Sequence, residues 1–285
     1  VSIFQDISPD PPFTAVEACR SQLEEFGPHC VVGIGGGSVL DATKVGAMLA
    51  VQKCEIPSVI GIDRVPGRGF PTVLVPTTAG TGSEVTPIAV LTDEKRDVKR
   101  GIVSPHLVAD HAIIDPKLCL SLPPWPTAYT GMDALTHAIE AYTSTKSVPL
   151  VDDFALAAIR SIVQYLPRAV ADGSDLTARE AMSRASMLAG LCLGPVNTAA
   201  VHALAYPLGA RFHVPHGVAN ALLLPHVMDF NLPVVADRYR EIARAMNAPN
   251  DDAVTAAQEL TERVGTNKRL RGLGIEQSDI PILAA

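Results

Sequence analysis

Short apolar runs alternate with glycine-rich turns in the first part of the chain. Residues 30–34 and 72–76 are apolar and bounded by glycine or proline, a pattern typical of buried parallel strands. Helical periodicity covers residues 15–26 and 38–51. Three more strand-like runs follow, at residues 88–92, 100–104 and 111–115. The pattern predicts an α/β domain over residues 1–122.

From residue 123 onward the β-branched runs largely disappear and helical periodicity takes over. The segment Pro123-Pro-Trp-Pro126 is predicted to be a rigid hinge between two domains. Helical patterns then occupy residues 127–143, 152–166, 177–193, 198–210, 217–230, 235–246 and 252–264. The sequence therefore predicts an all-α domain over residues 123–285.

Composition and charge narrow the class of protein. The chain is 47% hydrophobic, which indicates a well-packed globular fold. Its net charge of -7 comes with no run of Lys or Arg longer than a pair, which argues against nucleic acid or an anionic membrane as a partner. We find no apolar run long enough to span a membrane and no signal peptide, so we expect a cytoplasmic protein with small-molecule partners. The 5 cysteines are scattered without CxxC spacing, which predicts free thiols.

Two glycine-rich or hydroxyl-rich loops follow the first two predicted strands. The first, Gly35-Gly-Gly-Ser38, runs from a strand into a helix N-terminus, an arrangement that binds phosphate groups. The second is Thr77-Thr-Ala-Gly-Thr-Gly-Ser-Glu84. Either loop alone could be a tight turn or a solvated linker, but two of them at the carboxyl edge of one parallel sheet favour a nucleotide site. The basic segment 95–100 is most simply a solvated hairpin, although Lys99 could reach a ribose.

The second domain contains candidate metal ligands. Asp133 and His137 are four residues apart, so their side chains share one helix face, but that spacing is most often structural. His202 lies in an apolar run where a lone His is usually a hydrogen-bonded core residue, and His216 at a helix start could be only a cap. The low polarity around these residues makes an unsatisfied imidazole costly, which favours a shared metal site.

The donor set indicates which ion fits. Three imidazoles and one carboxylate suit Fe(II) or Zn(II) rather than Mg²⁺ or Ca²⁺, which prefer oxygen ligands. His213 and His226 flank the ligand stretch and are candidates to line the pocket. We interpret His29, His106 and His111, in the first domain, as bystanders.

Four motifs in this order resemble the iron-containing, group III alcohol dehydrogenases. They are Gly35-Gly-Gly-Ser38 with Asp41 and Lys44, Pro76-Thr-Thr-Ala-Gly-Thr-Gly-Ser-Glu84, Gly131-Met-Asp-Ala-Leu-Thr-His-Ala-Ile-Glu140, and His202-Ala-Leu-Ala-Tyr-Pro-Leu-Gly209 with Pro215-His-Gly-Val-Ala-Asn220. The resemblance implies a dehydroquinate-synthase-like fold. Its N-terminal domain is Rossmann-like and binds the nucleotide, its C-terminal domain is a helical bundle, and the active site lies in the cleft between them.

The resemblance also implies the roles of single residues. The metal ligands would be Asp133, His137, His202 and His216. The cofactor-binding residues would be Gly36, Gly37 and Ser38 at the pyrophosphate, Asp41 in the same motif, Thr77, Thr78 and Thr81 along the adenosine and nicotinamide path, and Lys99 at the nicotinamide ribose. The implied reaction moves a hydride between a small alcohol or aldehyde and a nicotinamide cofactor, with Fe²⁺, or Zn²⁺ in its place, polarising the substrate oxygen.

Several departures from the family pattern affect what is carried over. Tyr206 stands where many relatives have a histidine; together with His213 it is the candidate for proton transfer, although an unperturbed tyrosine pKa near ~10 makes it a weaker relay. The segment Gly194-Pro-Val-Asn197 also differs from the Ser-Asn-Ala-Gly type of pocket segment that the family leads us to expect.

Relatives usually have a strand, a glycine turn and a further strand before the point where this chain starts. They also have helices after the point where it stops, so we expect the chain to be truncated. The acidic residue that selects NAD over NADP lies in that earlier part; we expect NAD(H) rather than NADP(H), and a homodimer or higher oligomer.

Other functions remain open at this point. A maleylacetate-reductase-like enzyme would reduce a keto acid, but that branch has typically lost the metal ligands kept here. A lyase of the dehydroquinate-synthase type uses NAD within the same architecture, yet needs more basic residues around its substrate than this helical half provides. The non-enzymatic alternative is an inactive metal-binding relic of the fold, which would bind metal without the dinucleotide.

Overall fold

In the computed structural model, which describes residues 1–283 apart from the side chain of Ile282, the chain divides into two units. The first unit contains Val1–Thr77 and Ser83–Asp115, and the second contains Thr78–Gly82 and the chain from Pro116 onward. The predicted domain boundary at residues 122 and 123 stays a prediction. Pro124 and Pro126 lie in the first turn of a long helix rather than in a separate linker, since proline needs no helical hydrogen bond there.

The first unit has three helices and two small sheets. Its helices are α1 (Phe13–Phe26), α2 (Gly37–Gln52) and α3 (Ile56–Val59), and its strands are β1 (Val31–Gly35), β2 (Gly61–Ile62), β3 (Thr72–Pro76), β4 (Ile88–Asp93), β5 (Val98–Val103) and β6 (His111–Ala112). One sheet is parallel with the order β1-β3-β6. The other has the order β2-β5-β4, and β4 and β5 form the hairpin predicted around residues 95–100.

The register of β1 against β3 positions the two loops. Gly35 is paired with Pro76, so both strands end at the same edge of the sheet. The backbone N–H of Thr77 then donates to the carbonyl oxygen of Gly35 at 2.9 Å. The prediction that the two loops leave one carboxyl edge side by side is confirmed.

Helix α2 is the buried helix of the first unit. Leu40, Val45 and Leu49 on it are fully buried, together with Ile102 of β5. It approaches β1 closely because Gly33 has no side chain: a Cβ atom there would lie 2.5 Å from Thr43 Oγ1. The apolar run and its glycines thus place the N-terminus of α2 directly after the first loop.

The second unit is helical. Its helices are α4 (Pro124–Thr143), α5 (Pro149–Ala171), α6 (Leu176–Val196), α7 (Ala200–Phe212), α8 (His216–Ala245), α9 (Ala253–Arg263) and α10 (Ile280–Leu283). Helix α4 packs against α5, α6 and α8, and its residues from Gly131 to Tyr142 are all buried. Because a helix buried on every side has no solvated face, its polar residues need internal partners.

Helix α8 joins two helices that the sequence predicts separately. The break falls at Val235, whose backbone is not helical (φ -133°, ψ 30°), two residues after Pro233. By length and composition alone α8 could cross a membrane. Leu224 and Met228 on it belong to the core of the second unit, which favours a core helix.

Candidate metal centre

Three side chains of α4 point in one direction. Asp133, His137 and Glu140 are spaced by four and three residues, which brings them onto one face of the helix. All three are buried, with 2–5% of each side chain exposed. A buried face with two carboxylates and one imidazole must pair its charges inside the protein.

Helices α7 and α8 bring two more histidines to this face. His202 lies in the first turn of α7 and is buried, whereas His216 is the first residue of α8 and is 28% exposed. Pro215 precedes α8 in an extended conformation, which starts the helix at His216 without a side-chain cap. The apolar sequence around His202 packs α7 onto α8, so its single imidazole turns inward.

Asp133, His202 and His216 converge on one point. Asp133 Oδ1 lies 3.6 Å from Nε2 of His202 and 3.6 Å from Nε2 of His216. Ligand atoms around a four-coordinate ion with bonds of about 2.1 Å lie about 3.4 Å apart. The spacing and the donor set therefore fit one first-row divalent ion, and these three residues form a metal site consistent with iron.

His137 borders the same point. Its Nε2 lies 3.8 Å from Asp133 Oδ1, and its ring stacks on that of His202 with 4.7 Å between ring centres. Its Nδ1 is buried without a hydrogen-bond partner among the described residues. The predicted role of His137 as a fourth ligand stays a prediction.

Asn220 also reaches the centre of the site. Its Nδ2 donates to Asp133 Oδ1 at 2.7 Å and lies 3.1 Å from His202 Nε2 and 3.2 Å from His216 Nε2. Asn220 is fully buried, and its Oδ1 has no partner among the described residues. Asn220 is the last residue of the fourth motif, and the sequence alone indicates no role for it. It lies four residues after His216, the one available signal that the two share a helix face.

Glu140 was missed in the same way. Its Oε2 lies 2.6 Å from His202 Nδ1, and its two oxygens accept the backbone N–H groups of Ala199 and Val201. The available signal for Glu140 was its position three residues after His137, but its partner His202 is 62 residues away in the sequence.

The buried charges shift one another's protonation. Burial opposes ionisation of Asp133, yet the neighbouring histidines hold its pKa well below the usual range. Burial also opposes protonation of His202, but the neighbouring Asp133 carboxylate and the hydrogen-bonded Glu140 carboxylate outweigh it and raise its pKa to about 9. Burial lowers the pKa of His137. The site thus combines an ionised carboxylate with imidazoles of unequal basicity, as expected of a cation-binding cluster.

The predicted proton-transfer residues differ in position. The half-buried ring of Tyr206 lies nearly parallel to His216, with ring centres 6.1 Å apart, so it borders the metal site. His213 is exposed at the C-terminal end of α7, in a left-handed conformation (φ 53°). His226 is exposed on α8. A catalytic role for Tyr206 or His213 stays a prediction.

The predicted cofactor residues of the first unit lie at the start of α2 and nearby. Gly36 precedes α2 and Gly37 begins it. Ser38 Oγ accepts the backbone N–H of Asp10, and Lys99 Nζ donates to Asp10 Oδ1 at 2.7 Å. Lys99 is nearly buried, at 3% exposure, so it is less available than a hairpin lysine in solvent.

Asp41 is engaged inside the first unit. Its Oδ1 accepts from Ser83 Oγ at 2.5 Å and its Oδ2 accepts from the backbone N–H of Val90 at 2.9 Å. It also forms an ion pair with buried Lys44. These contacts fasten the hydroxyl-rich loop to α2, and a direct role of Asp41 in cofactor binding stays a prediction.

The hydroxyl-rich loop passes from the first unit into the second. Thr77 belongs to the first unit, and Thr78 and Thr81 to the second. A Cβ atom at Gly80 would lie 2.6 Å from Thr130 Cβ, so this part of the loop contacts α4 closely. The cofactor roles of the three threonines stay predictions.

Comparison with known proteins identifies the family. The family model described as iron-containing alcohol dehydrogenase matches residues 1–116, and the C-terminal model of the Fe-containing alcohol dehydrogenase family matches residues 127–285. Long-chain-alcohol dehydrogenase 1 of Geobacillus thermodenitrificans is 42% identical over 99% of this chain and 74% of its own length. The chain belongs to the iron-containing alcohol dehydrogenase family.

Solved structures of this family have the same fold. A crystal structure of 1,3-propanediol oxidoreductase has a TM-score of 0.95 and 39% identity over 100% of this chain and 77% of that chain. Sulfoacetaldehyde reductase from Bifidobacterium kashiwanohense, in complex with NAD⁺, has a TM-score of 0.92 and 37% identity over 99% of this chain and 76% of that chain. The predicted family and fold class are confirmed, and the chain is an iron-type alcohol dehydrogenase, an oxidoreductase acting on CH–OH groups. It spans about three quarters of the length of these relatives.

Proposed function

We propose that this alcohol dehydrogenase interconverts small alcohols and aldehydes with NAD(H), using Fe²⁺ held at the site on α4, α7 and α8. Zn²⁺ fits the same donors. The ligands in this proposal are Asp133, His137, His202 and His216. The observation that carries it is the convergence of Asp133 Oδ1 and the Nε2 atoms of His202 and His216 within 4.8 Å of one another.

The metal supplies Lewis-acid chemistry at the substrate oxygen when it is bound. The protein residues around it exclude water, since Asp133 and His202 are almost completely buried. His216 is the one ligand of the four with appreciable exposure, which makes its side of the site the approach for substrate. Buried, oriented ligands need no reorganisation during the reaction, which is how such sites accelerate it.

Tyr206 is the proposed proton carrier. Its ring lies against His216, on the exposed side of the site, so a hydroxyl there can exchange a proton between substrate and solvent. His213, exposed at the end of α7, is proposed to continue that path to solvent. Replacing the histidine of many relatives by a tyrosine makes proton transfer less effective near neutral pH, because the tyrosine pKa is higher.

The first unit is proposed to hold the dinucleotide. The N-terminus of α2 presents backbone N–H groups from Gly37 and Ser38, which suit a pyrophosphate. NAD(H) is proposed over NADP(H), in line with the NAD⁺ complex of the sulfoacetaldehyde reductase. A small alcohol or aldehyde is proposed as substrate because 1,3-propanediol oxidoreductase is among the solved relatives. A cytoplasmic location and a homodimer or higher oligomer complete the proposal.

The experiment is a short-alcohol panel with NAD⁺ and with NADP⁺, on protein stripped of metal and reloaded anaerobically with Fe(II) or Zn(II). We expect reloading to restore turnover in the wild type and in His29→Ala, an exposed histidine of the first unit, but not in His202→Ala. If metal binds and NADH does not, as in an inactive relic, the dehydrogenase proposal is wrong. Turnover of keto acids alone would contradict the alcohol class and favour a maleylacetate-reductase-like enzyme.

A further inference from the structure

Glu140 connects a metal ligand to the start of a helix. Its Oε2 lies 2.6 Å from His202 Nδ1 and accepts the backbone N–H of Ala199 at 2.9 Å, while its Oε1 accepts the backbone N–H of Val201 at 2.6 Å. The side chain is 5% exposed, so these contacts are made away from water. Three hydrogen bonds to one buried carboxylate are short and strong because the acceptor is charged.

The first turn of α7 depends on this carboxylate. A helix begins with unpaired backbone N–H groups, which a side chain just before the helix usually satisfies. That position is Ala199 in α7, which has no side-chain acceptor. Glu140, from α4, supplies the acceptor instead, and its negative charge also suits the positive end of the helix dipole.

The same carboxylate determines which nitrogen of His202 faces the metal site. A carboxylate only accepts, so the proton between Glu140 and His202 is carried by Nδ1. In the neutral ring Nε2 then bears the lone pair, and Nε2 is the atom 3.6 Å from Asp133 Oδ1. Outer-shell carboxylates of this kind orient metal-bound histidines and raise their basicity.

We propose that Glu140 is a positioning residue of the metal centre, which sets the orientation and tautomer of His202 and anchors that ring to the N-terminus of α7. The inference rests on the proposed metal-dependent function. It adds a fifth residue to the four predicted ligands, one that touches neither the ion nor the substrate. Because one side chain serves both the helix and the ligand, folding of α7 and assembly of the metal site are coupled.

The variant Glu140→Gln tests this proposal because an amide cannot satisfy all three donors. If its oxygen faces His202 and Ala199, its NH₂ group opposes the N–H of Val201. If the amide turns over, its NH₂ group faces His202 Nδ1, which then accepts, and the ring proton moves to Nε2, where the ion would bind. Either arrangement weakens metal binding, and we expect a loss of about 10- to 100-fold in affinity.

The measurement is the affinity for Zn(II) and Co(II) by competition with a chelator, together with the visible spectrum of the Co(II) protein and the Tm of the metal-free protein. Asp175→Ala is the control, because it removes the side-chain cap of α6 at the N–H of Ala178. Asp175 contacts none of the ligands in the part of the chain that the structure describes. We expect the control to lower Tm with unchanged affinity and spectrum. We expect Glu140→Gln to lower the affinity and to change the spectrum.

The outcomes separate the two proposals. If Glu140→Gln lowers Tm but binds Co(II) with wild-type affinity and spectrum, Glu140 is only a helix cap and the inference is wrong. If the wild type itself binds neither ion, the proposed metal-dependent function fails, and the inference with it. Should Glu140→Gln not fold, two measurements replace it: the metal affinity of Glu140→Asp and the histidine ¹⁵N spectrum of the zinc-loaded wild type. If that spectrum contains no zinc-bound histidine ring protonated at Nδ1, the inference is wrong.

Discussion

The Nδ2 of Asn220 lies 2.7 Å from Oδ1 of Asp133, and 3.1 Å and 3.2 Å from the Nε2 atoms of His202 and His216. An amide N–H is the positive end of a dipole, so it partly compensates the buried negative charge of Asp133. Its own oxygen is buried without a partner among the described residues. Asn220 therefore holds the ligands together at the cost of one unsatisfied acceptor.

Asn220→Asp would place a second carboxylate against Asp133 in a buried position. Like charges at this distance cannot both ionise without a cation, so we expect the free energy of unfolding of the metal-free variant to fall by about 3 kcal/mol. Zn(II) should recover most of that loss. The measurement is denaturant unfolding with and without Zn(II), with exposed Asn250→Asp as the control. Equal metal-free stability of the variant and the wild type would show that Asn220 does not compensate Asp133.

His202→Ala and His216→Ala should differ in the metal-free protein. Both remove a ligand, but removing buried His202 also leaves Glu140 without one of its donors. We expect a loss of about 3 kcal/mol for His202→Ala and about 1 kcal/mol for His216→Ala, which is partly exposed. A chelator should lower the Tm of the metal-loaded wild type and leave the Tm of both variants unchanged. A chelator effect in either variant would mean that the remaining ligands hold the ion without that histidine.

The local pattern of the sequence determined most of the fold. Residues 72–76 were predicted as a strand and form β3 with the same ends, and the long helices differ from prediction by a few residues at their ends. Helix α8 was predicted as two helices, and its backbone leaves the helical conformation at Val235, two residues after Pro233, where the second predicted helix begins. Proline removes one hydrogen bond, and packing of both halves against neighbouring helices compensates for it. That packing is a long-range property which periodicity does not contain.

Part of the metal site could also be predicted from the local pattern of the sequence. Asp133 and His137 share a helix face by spacing alone, whereas the approach of His202 and His216 was predicted from a resemblance and from the cost of burying an imidazole. The roles of Glu140 and Asn220 depend on contacts between α4, α7 and α8. A carboxylate three residues after a histidine is common on solvated helices, so without the packing its function could not be distinguished from that of a surface residue.

Lys44 should contribute strongly to the stability of the first unit. Its side chain is fully buried, and Nζ donates to the carbonyl oxygens of Ser83 and Ile88 and pairs with Asp41 at 3.1 Å. Lys44→Met removes two hydrogen bonds made by Nζ and leaves the Asp41 carboxylate without its cationic partner, so we expect a loss of about 3–5 kcal/mol. Lys53→Met is the control, because Lys53 is 61% exposed and its pair with Glu24 is worth about 1 kcal/mol or less. Similar unfolding midpoints for the two variants would contradict the structural role of Lys44.

The cysteines should differ sharply in reactivity. Burial raises the pKa of Cys192 to about 12 and that of Cys19 to about 11, so both remain protonated thiols at about pH 8, whereas Cys30 is exposed. We expect iodoacetamide to modify Cys30 first and to reach Cys192 and Cys19 only when the protein unfolds. Peptide mass spectrometry over time measures this, with Cys30→Ser as the control. Rapid modification of Cys192 in folded protein would show that the α-helical core opens locally.

Gly82 is the position of the hydroxyl-rich loop where a side chain should be least tolerated. Its backbone is left-handed (φ 61°), and a Cβ atom would lie 2.6 Å from the Cα atom of Gly190 on α6. Gly82→Ala therefore adds a steric clash of about 1–3 kcal/mol to about 1 kcal/mol of backbone strain. Gly265→Ala isolates the strain, since Gly265 has a similar backbone (φ 77°) with nothing within 4 Å of its Cβ position. Thermal unfolding should show a larger loss for Gly82→Ala. Equal losses would mean that the loop moves away from α6 at little cost, and the close approach of the two glycines would then not fix the loop in place.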